Sequence, residues 1–306
     1  MIYSEKNGRD KDENKRHNIK DFFRGFFATI AVIVPAIIII NIMTLPRVPT
    51  AADGAIGVSD NQSEIPIKAT VSYNLLWILS DSDTGNLLCT ALVRFDVENY
   101  RVVVSNIPDN TVMLQSKTPI ELSKIFGQRG ATGVKAAVEE TLCVPISGYV
   151  GIKSNDFIRV MDSFGEITLT LDKEVKLADE GLVNYSKPAG TSEFSGNDIV
   201  KTIAFGNFSE DELMRLHERM WTAFFTQIGD DAFADKLLSV YSSFVDNIET
   251  DINSPGIYAL SVTADTVCAA NGAQVEVVRP QGRFSDGRFE LTQGADEHLW
   301  AYFSKL

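Results

Sequence analysis

Cysteine, glycine and proline are scarce in this sequence of 306 residues, which contains three cysteines, 21 glycines and 10 prolines. An odd number of cysteines gives no complete disulfide framework, and the spacing of Cys89, Cys143 and Cys268 does not match a metal-binding motif. We therefore predict that all three are small buried hydrophobic residues. The low glycine and proline content excludes a collagen-like or low-complexity chain. Hydrophobic residues make up 44% of the sequence, which excludes a disordered tail and suffices for one large domain or two modest ones.

Positive charge is also in short supply, since the formal net charge is -13 at pH 7. This balance argues against a nucleic-acid-binding protein. Residues 1–24 hold seven of the 28 basic residues and five of the 41 acidic ones, which leaves 21 basic and 36 acidic residues, a net charge of -15, in the rest of the chain. Any anionic ligand therefore needs a local cluster of basic side chains to hold it.

A single long apolar run lies near the start of the chain, where the 21 residues Gly25–Leu45 contain no charged side chain. As a helix this run would be about 31 Å long, which matches the hydrocarbon core of a bilayer. Seven basic residues precede it, and only Arg47 follows it closely. Because positive charge stays on the cytoplasmic side, the pattern predicts a cytoplasmic N-terminus and an extracellular domain.

The sequence thus predicts a single-pass protein of the cell membrane, with a cytoplasmic tail over 1–24, a transmembrane helix over 25–45, an extracellular stalk over 46–65 and an ectodomain over 66–306. The stalk is predicted from its content of Pro, Gly, Ala, Ser and Asp. A cleaved signal peptide is the alternative, because Thr50–Ala52 offers small residues. Signal peptides, however, usually have an apolar region of only about 7–15 residues.

Strand and helix patterns alternate through the ectodomain, which predicts an α/β fold with a mixed β-sheet flanked by helices and no second domain. Thr118–Pro119 predicts the start of a helix, and 173–195 is predicted as a long loop with one short strand. The predicted strands are 67–79, 90–95, 101–107, 149–152, 167–171 and 274–278. The other predicted helices are 132–142, 155–164, 196–205, one after the capping box of Ser209 and Glu212, 232–248, one in the C-terminal part and one near 295–303.

The first three strands are predicted to run up, down and up, which places the loops 80–89 and 108–117 on one edge of the sheet. Ligands of α/β folds usually bind at such an edge. The polar residues predicted to meet there are Ser80, Asp81, Ser82, Asp83, Asp109 and Asn110. The alternative is that these are ordinary solvated turn residues.

Four segments in this order resemble the LytR-CpsA-Psr family of cell-envelope proteins, whose members also carry one N-terminal anchor. NLLWILSDSD is similar to the first core strand and acidic loop of the family, and VVVSNIPDNT is similar to its strand that ends in Ser-Ile-Pro-Arg-Asp-Thr. AAVEETLCVPISGYVGI and FIRVMDSFGEITLTL are similar to the two following family segments. The resemblance extends over the ectodomain.

The resemblance implies a role in cell-wall biogenesis, namely transfer of an anionic glycopolymer from a polyprenyl-pyrophosphate carrier to peptidoglycan. A divalent cation such as Mg²⁺ assists this reaction. The pyrophosphate requires guanidinium groups, the cation requires carboxylates and the polyprenyl tail requires an apolar channel. By this resemblance Asp81 and Asp83 are candidate metal ligands, Asp109 and Asn110 are candidate ligand-binding residues, and Arg215 and Arg219 are candidates for holding phosphate and for catalysis.

The sequence departs from the family pattern where basic residues are needed. The Arg-Asp pair after Ile-Pro is replaced by Asp109 and Asn110, and the Arg and Asp before the second strand are replaced within 86–89. Ala204 and Gly206 stand in place of the paired arginines of the family. Loss of one transition-state arginine in phosphoryl transfer costs a factor of about 10³–10⁵. We therefore expect weak or no catalysis unless Arg215, Arg219, Arg94 or Arg129 takes over.

Three hypotheses follow from the sequence. The first is a protein that binds a polyprenyl-linked glycan or a peptidoglycan component without catalysis, in effect a pseudoenzyme. The second is an active glycopolymer phosphotransferase with a rearranged site, and the third is an anchored scaffold for partner proteins. His217 and His298 are expected to be surface residues or residues with satisfied hydrogen bonds, and Asp162 is expected to be a structural group at a helix end and not a ligand.

Overall fold

The computed structural model describes residues 69–179, 182–228, 233–268 and 273–304. All of them belong to one compact unit, Ile65–Leu306. The predicted tail, membrane helix and stalk lie outside the described residues. Within the described ranges, no helix combines the length and the apolar character that a membrane crossing requires.

The described part of the chain alternates strands and helices in chain order. The strands are β1 (Tyr73–Ser80), β2 (Leu87–Asp96), β3 (Arg101–Ile107), β4 (Val112–Gln115), β5 (Thr118–Glu121), β6 (Gly148–Lys153), β7 (Ile167–Leu171), β8 (Val175–Asp179), β9 (Leu182–Lys187), β10 (Gly190–Phe194), β11 (Glu249–Thr250), β12 (Gln274–Val277), β13 (Gly282–Ser285) and β14 (Arg288–Leu291). The helices are α1 (Leu122–Leu142), α2 (Ser154–Phe164), α3 (Gly196–Phe205), α4 (Glu210–Ile228), α5 (Phe233–Phe244), α6 (Ser254–Cys268) and α7 (Ala295–Phe303).

The central sheet has six strands in the order β11-β6-β1-β2-β3-β12. Strand β2 is antiparallel to both β1 and β3, while β6 is parallel to β1 and β12 is parallel to β3. The C-terminal ends of β1, β3, β6 and β12 therefore lie at one edge of the sheet. This topology confirms the prediction that the loops after β1 and β3 open on the same edge.

Both faces of the sheet are buried, and the side chains of β1 show how. Leu75 and Leu79 pack into one hydrophobic cluster with α2, α4, α5 and α6, whereas Leu76 and Ile78 pack into a second cluster with α1 and α7. Alternate residues of a strand point to opposite faces, so a strand buried on both sides is apolar almost throughout. The prediction of a mixed sheet flanked by helices is confirmed.

The predicted helix start at Thr118–Pro119 is wrong, because these residues belong to β5 in a hairpin with β4. The turn between the two strands places Ser116 and Lys117 at φ angles of 51° and 67°, as a tight two-residue hairpin turn requires. Helix α1 begins only at Leu122 and includes the helix predicted over 132–142, after a break at Gly130 with φ 61°.

Two hairpins lie in segments where apolar and polar residues do not alternate clearly. Strands β8 and β9 pair in the stretch predicted as a long loop, where β10 also pairs with β7. Strands β13 and β14 form a second hairpin around Asp286 and Gly287, both of which have positive φ. An Asp-Gly pair is a strong hairpin signal, so the sequence contained the information for this second turn.

The prediction for the cysteines is confirmed for Cys89 and Cys268, which are buried, and is wrong for Cys143, which is exposed. Cys143 follows α1 with φ 52°, and its backbone N–H donates to the carbonyl of Glu139. A residue in this left-handed conformation ends a helix at the surface, which is why its side chain reaches solvent.

Candidate functional site

A cavity of about 370 Å³ opens at the edge of the sheet where β3 ends. We call it the sheet-edge cavity. It lies between the loop after β3, the first turns of α4 and the β13–β14 hairpin. Its lining residues are Leu88, Cys89, Asn106, Ile107, Pro108, Asp109, Asn110, Phe208, Glu210, Leu213, Met214, His217, Phe284 and Gly287. Two of the residues predicted from the sequence, Asp109 and Asn110, are among them.

The backbone of the loop after β3 is fixed by hydrogen bonds that place Asp109 and Asn110 at the cavity. The N–H and the hydroxyl of Thr111 donate to the carbonyl of Pro108 at 3.1 and 2.6 Å. The N–H of Ser123 donates to the carbonyl of Asp109 at 2.8 Å. The N–H of Phe289 donates to the carbonyl of Asn110 at 3.2 Å. The loop is therefore held by the start of α1 on one side and by the C-terminal hairpin on the other.

The side chains of Asp109 and Asn110 at this loop lie close to the carboxylate of Glu210. Burial and, secondarily, the nearby carboxylate of Glu210 raise the pKa of Asp109. The Asn110 amide donates from Nδ2 to Glu210 and to the carbonyl of Gly287, the latter at 3.1 Å. Its Oδ1 atom is buried and has no hydrogen-bond partner among the described residues. Two carboxyl groups therefore line the cavity, and one unpaired amide oxygen is buried in its wall.

A chain of three buried side chains forms the inner wall. Asn106 accepts a hydrogen bond from the Cys89 thiol at 3.4 Å and contacts Nδ1 of His217 through Nδ2 at 3.0 Å. Because burial lowers the pKa of His217 to about 4, its ring is neutral at pH 7. The amide nitrogen of Asn106 is a donor, so Nδ1 accepts and the ring proton is on Nε2. Nε2 has no partner within the described ranges.

The expectation for His217 is therefore only partly met: one ring nitrogen is satisfied, but the other is not, and the residue is buried, with an exposed fraction of 4%. His298 is half-buried and packs its ring against Tyr302. Asp162 accepts a hydrogen bond from the N–H of Gly196 at the start of α3, at 3.3 Å, so its predicted structural role at a helix end is confirmed.

The two arginines predicted to hold phosphate are paired with carboxylates on the protein surface. Arg219 makes a bidentate contact with Asp172 at 2.8 and 2.9 Å, and Arg215 contacts Asp211. Neither arginine lines the sheet-edge cavity. In the part of the chain that the structure describes, no lysine or arginine lines the sheet-edge cavity. The roles proposed for Arg215 and Arg219 from the resemblance thus remain predictions.

The two substitute arginines also lie elsewhere. Arg94 is 2% exposed and donates to Oδ1 of Asn74 at 3.1 Å. Asn74 lies near the start of β1, so this pair is towards the edge of the sheet opposite to the sheet-edge cavity. Arg129 is exposed beside the break in α1. Sequence reasoning missed Arg279 and Arg288, which follow β12 and begin β14. Arg279 makes a bidentate contact with Glu218 at 2.6 and 2.7 Å, and Arg288 contacts Glu121 at 2.6 Å.

The predicted metal ligands Asp81 and Asp83 lie in the loop after β1 and do not line the cavity. The carboxylate of Asp81 accepts hydrogen bonds from the N–H of Asp83 at 3.1 Å and from the N–H and hydroxyl of Thr84 at 2.7 and 2.8 Å. The hydrogen bonds from Thr84 lower the pKa of Asp81. Asp83 is exposed. No cluster of three or more His, Cys, Asp or Glu side chains suited to a metal occurs among the described residues.

A second cavity lies on the face of the sheet covered by α2, α4, α5 and α6. We call it the apolar cavity. Its volume is about 120 Å³, and its lining residues are Leu75, Trp77, Val93, Phe95, Val150, Ile152, Phe157, Val160, Met161, Phe164, Met220, Trp221, Phe224, Phe225, Phe233, Leu237, Val240, Tyr241, Phe244, Ile248, Ile252, Ile257 and Leu260. An apolar cavity of about 150 Å³ in a protein core remains dry and accepts benzene. This cavity therefore suits a hydrocarbon group.

No protein-family model matches the chain, and no curated protein matches it. Solved structures do match. A candidate transcription regulator from Eubacterium siraeum superposes with a TM-score of 0.68 at 16% identity, covering 83% of this chain and 99% of that one. TagV from Bacillus subtilis superposes with a TM-score of 0.60 at 13% identity, covering 78% and 99%. TagT of the same organism, bound to LI-WTA, superposes with a TM-score of 0.57 at 14% identity, covering 77% and 90%.

TagT and TagV are LytR-CpsA-Psr family enzymes. The resemblance that the sequence motifs indicated is therefore confirmed at the level of the fold. Identities of 13–16% show a shared fold and no shared chemistry.

Proposed function

We propose that this protein is a membrane-anchored, extracellular protein of the cell envelope that binds a polyprenyl-linked glycan or another wall component, with weak or no phosphotransfer. The fold supports the envelope role, since TagT with the same fold binds LI-WTA, a lipid-linked wall teichoic acid. The anchor and the orientation are proposed from the sequence, from the uncharged run 25–45 and the basic residues before it.

The apolar cavity is the observation that supports lipid binding most directly. Aromatic rings from α4 and α5, including Trp221, Phe224, Phe225 and Phe233, pack edge-to-face or stacked around it with centroid separations of 5.2–6.3 Å. Within the described ranges, none of the residues that line this cavity is charged. A cavity of about 120 Å³ holds one group of about the size of benzene, so it offers dispersion contacts to one isoprene-sized part of a polyprenyl chain. This favours a bound hydrocarbon group over a scaffold without a ligand.

The pairing of arginines near the sheet-edge cavity with carboxylates of the protein argues against phosphotransfer. Stabilising the charge on a leaving pyrophosphate needs forked N–H donors aimed at the phosphate oxygens. Here Arg215, Arg219 and Arg279 point those donors at Asp211, Asp172 and Glu218. Asp109 and Glu210 at the sheet-edge cavity would repel a phosphate by roughly 1–4 kcal/mol per charge at about 4 Å. An active transferase would have to break several of these pairs.

Photocrosslinking in nanodiscs tests the proposed lipid site. The full chain is incubated with a diazirine-labelled polyprenyl phosphate, and crosslinked residues are mapped by mass spectrometry. Crosslinks should fall on α2, α4, α5 and α6, and Val240→Trp, which fills the apolar cavity from α5, should reduce them at least tenfold. Ser239→Trp is the matched control, because Ser239 is exposed on the same helix and outside the cavity. Equal labelling of both variants would rule out lipid binding at this cavity.

A further inference from the structure

We propose that the sheet-edge cavity binds an organic ligand in which a primary ammonium group lies next to a hydrogen-bond acceptor such as a carbonyl. This site shares no lining residue with the apolar cavity, so the inference does not depend on the proposed lipid binding. It rests on the polarity of the groups that face the cavity, on one buried donor and on the size of the space.

The acceptors match an ammonium group. Asp109 and Glu210 bring two carboxyl groups to the cavity, and Oδ1 of Asn110 is a buried acceptor without a partner among the described residues. A primary ammonium group carries three N–H donors and no acceptor. Burial and, after it, the carboxylate of Glu210 raise the pKa of Asp109. A cation bound beside the two groups would offset the repulsion between them.

His217 has a buried N–H donor without a partner in the described ranges, which is a second and independent observation. Its Nε2–H is a donor in a side chain that is 4% exposed, and it has no partner within the part of the chain that the structure describes. A buried donor left unpaired costs about 1–3 kcal/mol, so a ligand acceptor placed there gains affinity. A protonated ring nitrogen does not coordinate a metal ion. The inner wall therefore favours a carbonyl-type acceptor on the same ligand.

The rest of the cavity wall is mostly apolar and suits the hydrocarbon part of a ligand. Ile107, Pro108, Leu213 and Met214 form apolar walls around the polar groups, and the volume of about 370 Å³ is far larger than a bare ion fills. Binding sites for small organic molecules have this mixture of apolar walls and a few polar groups. The combination therefore favours an amino-acid-like amine over a divalent cation.

Isothermal titration calorimetry on the full chain in nanodiscs tests the inference with three small probes. Alaninamide carries the ammonium group and a carbonyl, propionamide lacks the ammonium group, and ethylamine lacks the carbonyl. Alaninamide should bind at least tenfold more tightly than either of the others. Asp109→Asn, an isosteric change, should weaken alaninamide binding at least tenfold. Asp235→Asn, which removes an exposed carboxylate on α5, should leave the affinity unchanged.

Three outcomes would overturn the inference. The first is equal affinity for alaninamide and propionamide, which would show that the charge is not recognised. The second is an unchanged affinity in Asp109→Asn, which would place the amine elsewhere. The third is MgCl₂ binding that Asp109→Asn removes, without any binding of alaninamide, which would identify a simple cation site. None of these outcomes bears on polyprenyl binding, so the two proposals fail separately.

Discussion

Arg219 on α4 and Asp172 after β7 form a bidentate ion pair with N–O distances of 2.8 and 2.9 Å. The hydrogen bonds and charge of Arg219 lower the pKa of Asp172. One helical turn earlier, Arg215 contacts Asp211. The two basic residues of α4 that the family resemblance retains are thus both directed at carboxylates of the protein.

Removing these two arginines should change little. Exposed ion pairs contribute about 0–1 kcal/mol each, so Arg215→Ala with Arg219→Ala should lower the free energy of unfolding by about 2 kcal/mol at most. Lipid crosslinking should stay within about threefold of the unmodified protein, because neither residue lines the apolar cavity. Urea unfolding and the crosslinking assay measure the two effects. A tenfold loss of crosslinking would show that these arginines hold the ligand.

His217 should make stability depend on pH. Its pKa is lowered to about 4 by burial, whereas an exposed histidine has its pKa near 6.5. Between these values the unfolded chain binds more protons than the folded one, so His217 makes the free energy of unfolding fall as pH falls from 6.5 towards 4. The loss is on the order of 3 kcal/mol. Urea unfolding of His217→Gln at pH 7 and pH 4.5 should show a smaller decrease than the unmodified protein; equal decreases would contradict this account.

Asn74 should be important for stability because it pairs with a buried cation. Its Oδ1 accepts from Arg94, and its Nδ2 donates to the carbonyls of Pro145 and Phe303 at 2.8 and 2.6 Å. Asn74→Ala removes all three hydrogen bonds from the core and leaves Arg94 with the carboxylate of Asp96 at 4.0 Å, and hydrogen bonds to charged groups are worth about 1.5–3 kcal/mol. We expect a loss of about 3 kcal/mol in urea unfolding. Asn86→Ala, on an exposed loop, is the control and should cost under about 0.5 kcal/mol.

Cys143 offers a test of the proposed orientation. It is exposed, whereas Cys89 and Cys268 are buried. If the domain lies outside the membrane, a membrane-impermeant maleimide should label the protein on intact cells, and Cys143→Ser should abolish that labelling. Labelling that requires cell lysis would contradict the orientation. Lysed cells that express the unmodified protein provide the control for thiol reactivity.

The sequence predicted five of the six strands of the central sheet, all but the two-residue β11, because those five carry strong local signals. The apolar runs that form β1, β2 and β3 predicted three antiparallel neighbours, and therefore that the loops after β1 and β3 lie at one edge of the sheet. The hairpin of β4 and β5 was missed because its geometry depends on two positive φ angles at Ser116 and Lys117, which neither residue type favours. The carboxylate of Glu140 accepts hydrogen bonds from the N–H groups of Ser116 and Lys117 and so helps to hold the turn, but Glu140 lies more than 20 positions further along the chain.

The site was predictable only in part, for a similar reason. Asp109 and Asn110 follow β3 directly, so topology alone placed them at the sheet edge. His217 reaches the cavity through a contact with Asn106 that spans 111 positions in the chain. Glu210, in the first turn of α4, was not predicted at the cavity, and its contact with Asn110 spans 100 positions. Tertiary packing brings these groups together, and no local pattern in the sequence encodes that packing.

One measurement tests the central claim, which is ligand binding without phosphotransfer. The full chain in nanodiscs is incubated with Mg²⁺ and a polyprenyl-pyrophosphoryl oligosaccharide, and bound lipid and cleaved pyrophosphate are scored in the same sample. We predict saturable binding that Val240→Trp removes, with cleavage at the rate of protein-free nanodiscs. Cleavage above that rate that is abolished by Arg215→Glu with Arg219→Glu would contradict the account, as would the absence of any binding.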